Sequence, residues 1–233
     1  MKWHLQDFVY GATDGAVTTF AVVAGVIGAS LSPAIVLILG FANLFADGFS
    51  MAVGNYLATK SQKEYIDQMR RREEWEIDNL AEQEKQEIRD IYAGKGFKDE
   101  ILEEIVRIIT SRRKVWVDTM MKEELGLIED ESKRARDTAL TTFAAFNAIG
   151  VIPLLPFIAL FASGATAASS QDAFIYSSVF TGIAFFMIGA IKGRIVDRPL
   201  LRSGIGTLLV GGIAAVVAFV VGYLLNLLVR AGG

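Results

Sequence analysis

Four glutamates, Glu73, Glu76, Glu84 and Glu87, lie at offsets 0, 3, 11 and 14 within Ser61–Tyr92, a stretch with neither Pro nor Gly. Read as one helix at about 100° per residue, they fall within an arc of about 80°, so all four carboxylates share one face. Like charges gathered in this way repel, and helices ordinarily relieve them with Lys at i+4. The face is either plain solvated surface or a cation site. Hard carboxylate oxygens suit divalent metals, and several are needed to neutralise one ion. Farther along, Met120, Met121 and Glu124 set two soft thioethers beside another acid. That mixture leans toward Fe(II) or Mn(II) over Ca(II) or Mg(II). The alternative is that the Met pair joins Trp75 and Trp116 in a small apolar core.

A second group of polar residues interrupts otherwise apolar runs. Asp14 sits within Gly11-Ala12-Thr13-Asp14-Gly15, where small neighbours admit a second helix or a hydrated ion. Asn43, Asp47 and Met51 follow one another at i+4 steps, an amide, a carboxylate and a thioether along one slowly drifting strip. An ionisable group inside an apolar span costs a few kcal/mol, which makes it a functional candidate by default. Capping or snorkelling near an interface is the alternative for Asp14. Asp47 lies about midway between Pro33 and Lys60, which fits that alternative poorly.

The elements that must position these groups are of two kinds. The chain has 233 residues, 52% of them apolar, with mean hydropathy +0.40 and 49 charged side chains, 26 acidic and 23 basic. Residues 61–137 hold 37 of the 49. Such partition excludes a single soluble globule and a disordered tail, and a net charge of −3 excludes a nucleic-acid binder. Five apolar runs, Phe8–Leu31, Pro33–Thr59, Thr138–Gln171, Ala173–Ile191 and Ser203–Val229, approach or exceed the ~20 residues that span a bilayer. None alternates polar and apolar residues as barrel strands do. The expected fold is all-α, a polytopic membrane protein with spans one and two in residues 1–60, a cytoplasmic three-helix insert in 61–137, and spans three to five in 138–233. Gly94 and Gly96 end the first insert helix, and Phe97–Ser111 and Val115–Leu125 read as the other two.

Five crossings place 22 of the 23 Lys and Arg on one side, with only Arg230 on the other. By the positive-inside rule the N-terminus and residues 61–137 are cytoplasmic and the C-terminus is not. The N-terminal segment carries Asp7 and Asp14 and lacks a cleavage site, so it reads as a retained span rather than a signal peptide. The chain has no Cys, which removes disulfides and thiolate sites. Thr18–Leu37 and Thr141–Leu160 match at 8 of 20 positions, a faint parallel repeat of a kind found in transporters. Gly204, Gly206, Gly211, Gly212 and Gly222 in span five suit close packing, including between subunits. A di-iron carboxylate oxidase is the enzymatic rival. Such bundles use Glu-x-x-His, and the single histidine here is His4.

The sequence resembles the vacuolar iron transporter family. The stretches that carry the resemblance are Asp7-Phe8-Val9-Tyr10-Gly11-Ala12-Thr13-Asp14-Gly15, Ala46-Asp47-Gly48-Phe49-Ser50-Met51-Ala52 and Met120-Met121-Lys122-Glu123-Glu124-Leu125-Gly126-Leu127, supported by Arg72-Glu73-Glu74-Trp75-Glu76 and Ile152-Pro153-Leu154-Leu155-Pro156. The resemblance implies a five-span homodimer that exchanges Fe(II), and often Mn(II), for protons, with no prosthetic group and a metal-binding insert. It implies that Asp14, Asp47 and Met51 are ligands along the membrane pathway. It further implies that Glu73, Glu76, Glu84, Glu87, Met120, Met121 and Glu124 are ligands in the insert. Only seven residues precede Phe8, which suggests a bacterial cytoplasmic membrane and metal export from the cytoplasm rather than a vacuole.

Overall fold

The protein is described by a computed structural model covering residues 2–128, 134–164 and 170–232, with side chains from Leu5 to Ala231 within those ranges. Its helices are α1 (Lys2–Gly28), α2 (Pro33–Asn79), α3 (Ala81–Gly94), α4 (Asp99–Thr110), α5 (Arg113–Glu123), α6 (Ala135–Gly150), α7 (Leu155–Ala162), α8 (Ser170–Ile195) and α9 (Leu200–Gly232). No strand occurs among the described residues. Residues 57–134 form one compact unit and the remaining residues another.

In the apolar unit α1, α2, α8, α9 and the α6–α7 segment are each long and apolar enough to cross a membrane. Pro33 opens α2, where a missing N–H is no loss. The third apolar run is not one helix followed by a loop, as its composition suggests. Pro153 and Pro156 cannot donate and clash with the preceding turn, so α6 stops at Gly150 and a 3-10 turn (Ile152–Leu154) leads into α7. The loop expected around Ser163–Asp172 falls largely on residues 165–169, outside the described residues.

Helix α1 is the common neighbour, packed against α6, α8 and α9 and bonded to α2. Gly11 meets Thr142 while Gly15 meets Phe146, so α1 and α6 run in parallel. Helix α9 shares that direction, because Gly28 meets Phe219 whereas Val9 and Thr13 border Ser203 and Thr207. Helices α2 and α8 run the opposite way, as Asn43 bonds Thr18, Asn55 bonds Asp7, and Gly182 faces Leu208 while Gly189 faces Ser203. A Cβ on Gly15 would lie 2.4 Å from the Phe146 carbonyl oxygen, and one on Gly222 would lie 2.1 Å from that of Gly25. Backbone touches backbone there, leaving no flexible atom to yield. Of the span-five glycines, Gly204, Gly211 and Gly222 serve contacts within the chain, whereas Gly206 and Gly212 face open space. The outward surfaces of α2, α8 and α9 are rich in exposed Leu, Val, Ile and Phe, the composition that lipid requires.

In the charged unit the expected three helices are four helical segments. The end of α2 supplies the first, and the break at Leu80 separates it from α3. Ile66 and Ile77 from α2, Ile88 from α3, Val106 and Ile109 from α4, and Trp116, Val117, Met120 and Met121 from α5 close a small core. Paired charges hold its surface. Arg89 makes a double contact with Glu103 at 2.6 and 2.9 Å, Arg113 one with Asp78 at 3.2 and 2.8 Å, and Arg70 meets Asp118 at 2.8 Å.

Overpacking a filled contact costs about 1–3 kcal/mol. Gly15→Ala is therefore expected to lower the detergent-solubilised melting temperature by several degrees, read by intrinsic fluorescence. Gly54→Ala, whose Cβ meets nothing within 4 Å, should leave it unchanged or slightly raised.

Candidate metal centre

Glu73 comes from the last turns of α2, Glu84 from the first turn of α3, and Glu124 caps the C-terminus of α5. In one straight helix an 11-residue offset would hold Glu73 and Glu84 about 16 Å apart along the axis. Instead, one carboxylate oxygen from each of Glu73, Glu84 and Glu124 lies within 4.8 Å of the others. The cause is Leu80, whose φ of −127° and ψ of 32° leave the helical region. Its N–H still bonds Glu76 at 2.6 Å, and Glu84 restarts the ladder on the Leu80 carbonyl at 3.1 Å. The single helical face inferred from residue spacing is thus corrected: the acids meet because the chain turns between them.

Glu73 is 2% and Glu84 4% exposed, and each has an Oε2 with no hydrogen-bond partner. Glu124 is exposed and opens the cluster to solvent. None of the ion pairs among the described residues involves these three acids. The cation that acts on this cluster, Arg72, is engaged with Glu76 at 3.1 Å. Burial pushes the Glu73 carboxyl up to about 7, with repulsion from Glu124, Glu84, Glu76 and Glu87 adding to it. Burial also pushes Glu84 up to about 7, with Glu87, Glu76 and Glu124 adding and Arg72 opposing. Glu124 is raised by burial, then by Glu87 and Glu76. All five predicted glutamates are therefore close enough to interact, although only three bring oxygens together.

Buried acids that lack donors and face one another are poised to lose protons to a cation. Around one ion at 2.0–2.3 Å bond lengths, oxygens stand about 3–4.5 Å apart, so closing the cluster needs only small shifts. Met120 and Met121 are buried at 0% and 3% exposure in the apolar core. They lie four and three residues before Glu124, on its side of α5. Trp116 joins that core, but Trp75 is 58% exposed and does not, since it stands on the outer face of α2.

In the apolar unit Asp14 lies on α1 and Asp47 on α2. Asp14 borders a groove with Tyr10, Thr13 and Val17. Asn43 donates to the Thr18 hydroxyl at 3.3 Å, and that hydroxyl donates to the Asp14 carbonyl at 2.9 Å, so this amide ties α2 to α1. Met51 is partly buried against the core. Sequence reasoning missed a second tie. Asn55 donates to Asp7 Oδ1 at 3.1 Å and to the Thr142 hydroxyl at 2.8 Å, joining α2 to α1 and α6. Asp7 is 7% exposed and its Oδ2 has no partner. The signal was available, because Asn55 is the next i+4 step after Asn43, Asp47 and Met51.

The chain is 38% identical to the vacuolar iron transporter of Toxoplasma gondii, over 98% of its own length and 76% of that protein's. It is 36% identical to the vacuolar iron transporter of Plasmodium berghei, over 97% and 83%. It is 35% identical to vacuolar iron transporter 1 of Arabidopsis thaliana, over 92% and 83%. The family model described as the VIT family matches residues 5–223, and the chain belongs to that family.

Proposed function

We propose that this protein carries Fe(II), and Mn(II) as a related substrate, across a membrane in exchange for protons, crossing it five times and working as a homodimer. The observation that carries this reading is the Glu73–Glu84–Glu124 cluster, three acids converging with two buried oxygens that lack donors. In this reading the cluster loads metal from the side that holds residues 57–134, which the distribution of Lys and Arg makes cytoplasmic. Glu76 and Glu87 add negative potential, and Met120 and Met121 act as soft donors on the helix that presents Glu124. The ion then meets Asp14, Asp47 and Met51, with Asn43 holding the backbone at Asp14. Protons and metal compete for the same oxygens at both places, which is the physical basis of exchange. The alternating directions of α1, α2, α6, α8 and α9 support five crossings.

Two sets of outcomes follow. The folded carboxyls of Glu73 and Glu84 titrate near 7 against 4.5 ordinarily. Between those values the folded state binds more protons than the unfolded one, so metal-free stability falls as pH rises and the loss is complete above about 7. Metal affinity runs the opposite way, because each site proton must leave. Calorimetry with Mn(II) should show about tenfold or more weaker binding at pH 5.5 than at pH 7.5. Glu73→Gln should weaken binding while raising the melting temperature of the metal-free protein at pH 8, which a merely structural glutamate would not do.

In proteoliposomes, Fe(II) entry should drive proton exit. Asp14→Ala is expected to abolish both fluxes, and Glu73→Ala with Glu84→Ala to slow them at low metal concentration. Full exchange by Asp14→Ala would overturn the role given to that residue.

A further inference from the structure

We propose that the cleft at the turn between α8 and α9 binds an anionic phospholipid. The cleft encloses about 880 Å³, within the range of small-ligand sites. Lys192, Arg198 and Arg202 line one part of it, and Val9, Val196 and Val210 another. None of the three cations enters an ion pair among the described residues, and Asp197, in the same turn, is not among the lining residues. Pro199, immediately before α9, also lines the cleft. The first N–H groups of that long helix, which have no partners within it, therefore end at the same place and favour a negative group.

The apolar wall continues into a second groove of about 590 Å³, which shares Val9, Thr13, Lys192, Val196 and Val210 and adds Leu5, Tyr10 and Ile195. A phosphate among three cations, joined to an apolar track running along membrane helices, matches a phospholipid rather than a free anion. Basic pockets of this kind between membrane helices hold anionic headgroups. This inference rests on the membrane setting of α1, α8 and α9 and not on metal transport.

The test is native mass spectrometry of the detergent-solubilised full chain titrated with phosphatidylglycerol. The wild type is expected to retain one lipid at about 30-fold lower lipid concentration than Arg198→Gln with Arg202→Gln. Arg230→Gln, at the far end of α9, should match the wild type, and phosphatidylcholine should bind no better than phosphatidylglycerol binds the double variant. Should the double variant lose its cooperative melt, Lys192→Gln replaces it, with about fivefold weaker retention expected. Equal retention of phosphatidylcholine, unchanged retention by the variants, or displacement of the lipid by inorganic phosphate at equal concentration would overturn the proposal. Metal-binding measurements do not enter this test, so its failure leaves the transport reading standing, and the reverse also holds.

Discussion

Three carboxylates cannot be held within 4.8 Å of one another unless the surrounding fold resists their repulsion. Here the resistance comes from an apolar core of about a dozen side chains and from ion pairs that join α2 to α5 and α3 to α4. Those pairs also neutralise the acids nearby, among them Asp78, Glu103, Asp118 and Glu123. Among the described acids that enter no ion pair, Glu73, Glu84 and Glu124 are the three whose oxygens converge. Their burial and mutual repulsion make the unit less stable near neutral pH, and under the proposed function a bound divalent cation would offset that loss.

The apolar unit meets a related constraint with a different device. Polar groups in a bilayer must find partners within the protein, and α2 supplies two, about three turns apart. Asn43 ties to Thr18 and Asn55 to Asp7 and Thr142, above and below the level of Asp47. Glycine then allows α1 to approach α6 and α9 at backbone distance. Asp47 is thus bracketed along α2 by two neutral amide ties.

Much of this was legible from residue types alone. Segregation of charge separated the two units, apolar runs located the long helices, and the acids of the insert identified themselves by number and spacing. The details that escaped were those set by tertiary geometry. Asp78 and Asn79 are weak helix formers, a signal masked by the strong formers Leu80 and Ala81 that follow, yet the meeting of Glu73 with Glu84 depends on the break there. The 100° arithmetic put Glu73, Glu76, Glu84 and Glu87 on one face of a continuous helix, whereas in the folded chain the break at Leu80 brings Glu73 and Glu84 together with Glu124. The position of Trp75 was likewise missed, because an aromatic in a charged segment invites a core assignment that helix phase refuses. By contrast, Asn55 was discoverable, lying one further step along a ladder already recognised.

The tie made by Asn55 also bears on how the chain is assembled during synthesis. Its partner Thr142 lies on the far side of residues 57–134. At about 5–20 residues per second, a ribosome needs roughly 4–16 s to make that stretch. Throughout the interval α1 and α2 exist without α6, α8 and α9, and the close-approach surface of Gly11 and Gly15 is uncovered. The charged unit, complete within its own segment, has time to fold first. Until α6 is made, Asn55 and the glycine face of α1 lack the partners that Thr142 and Phe146 later supply.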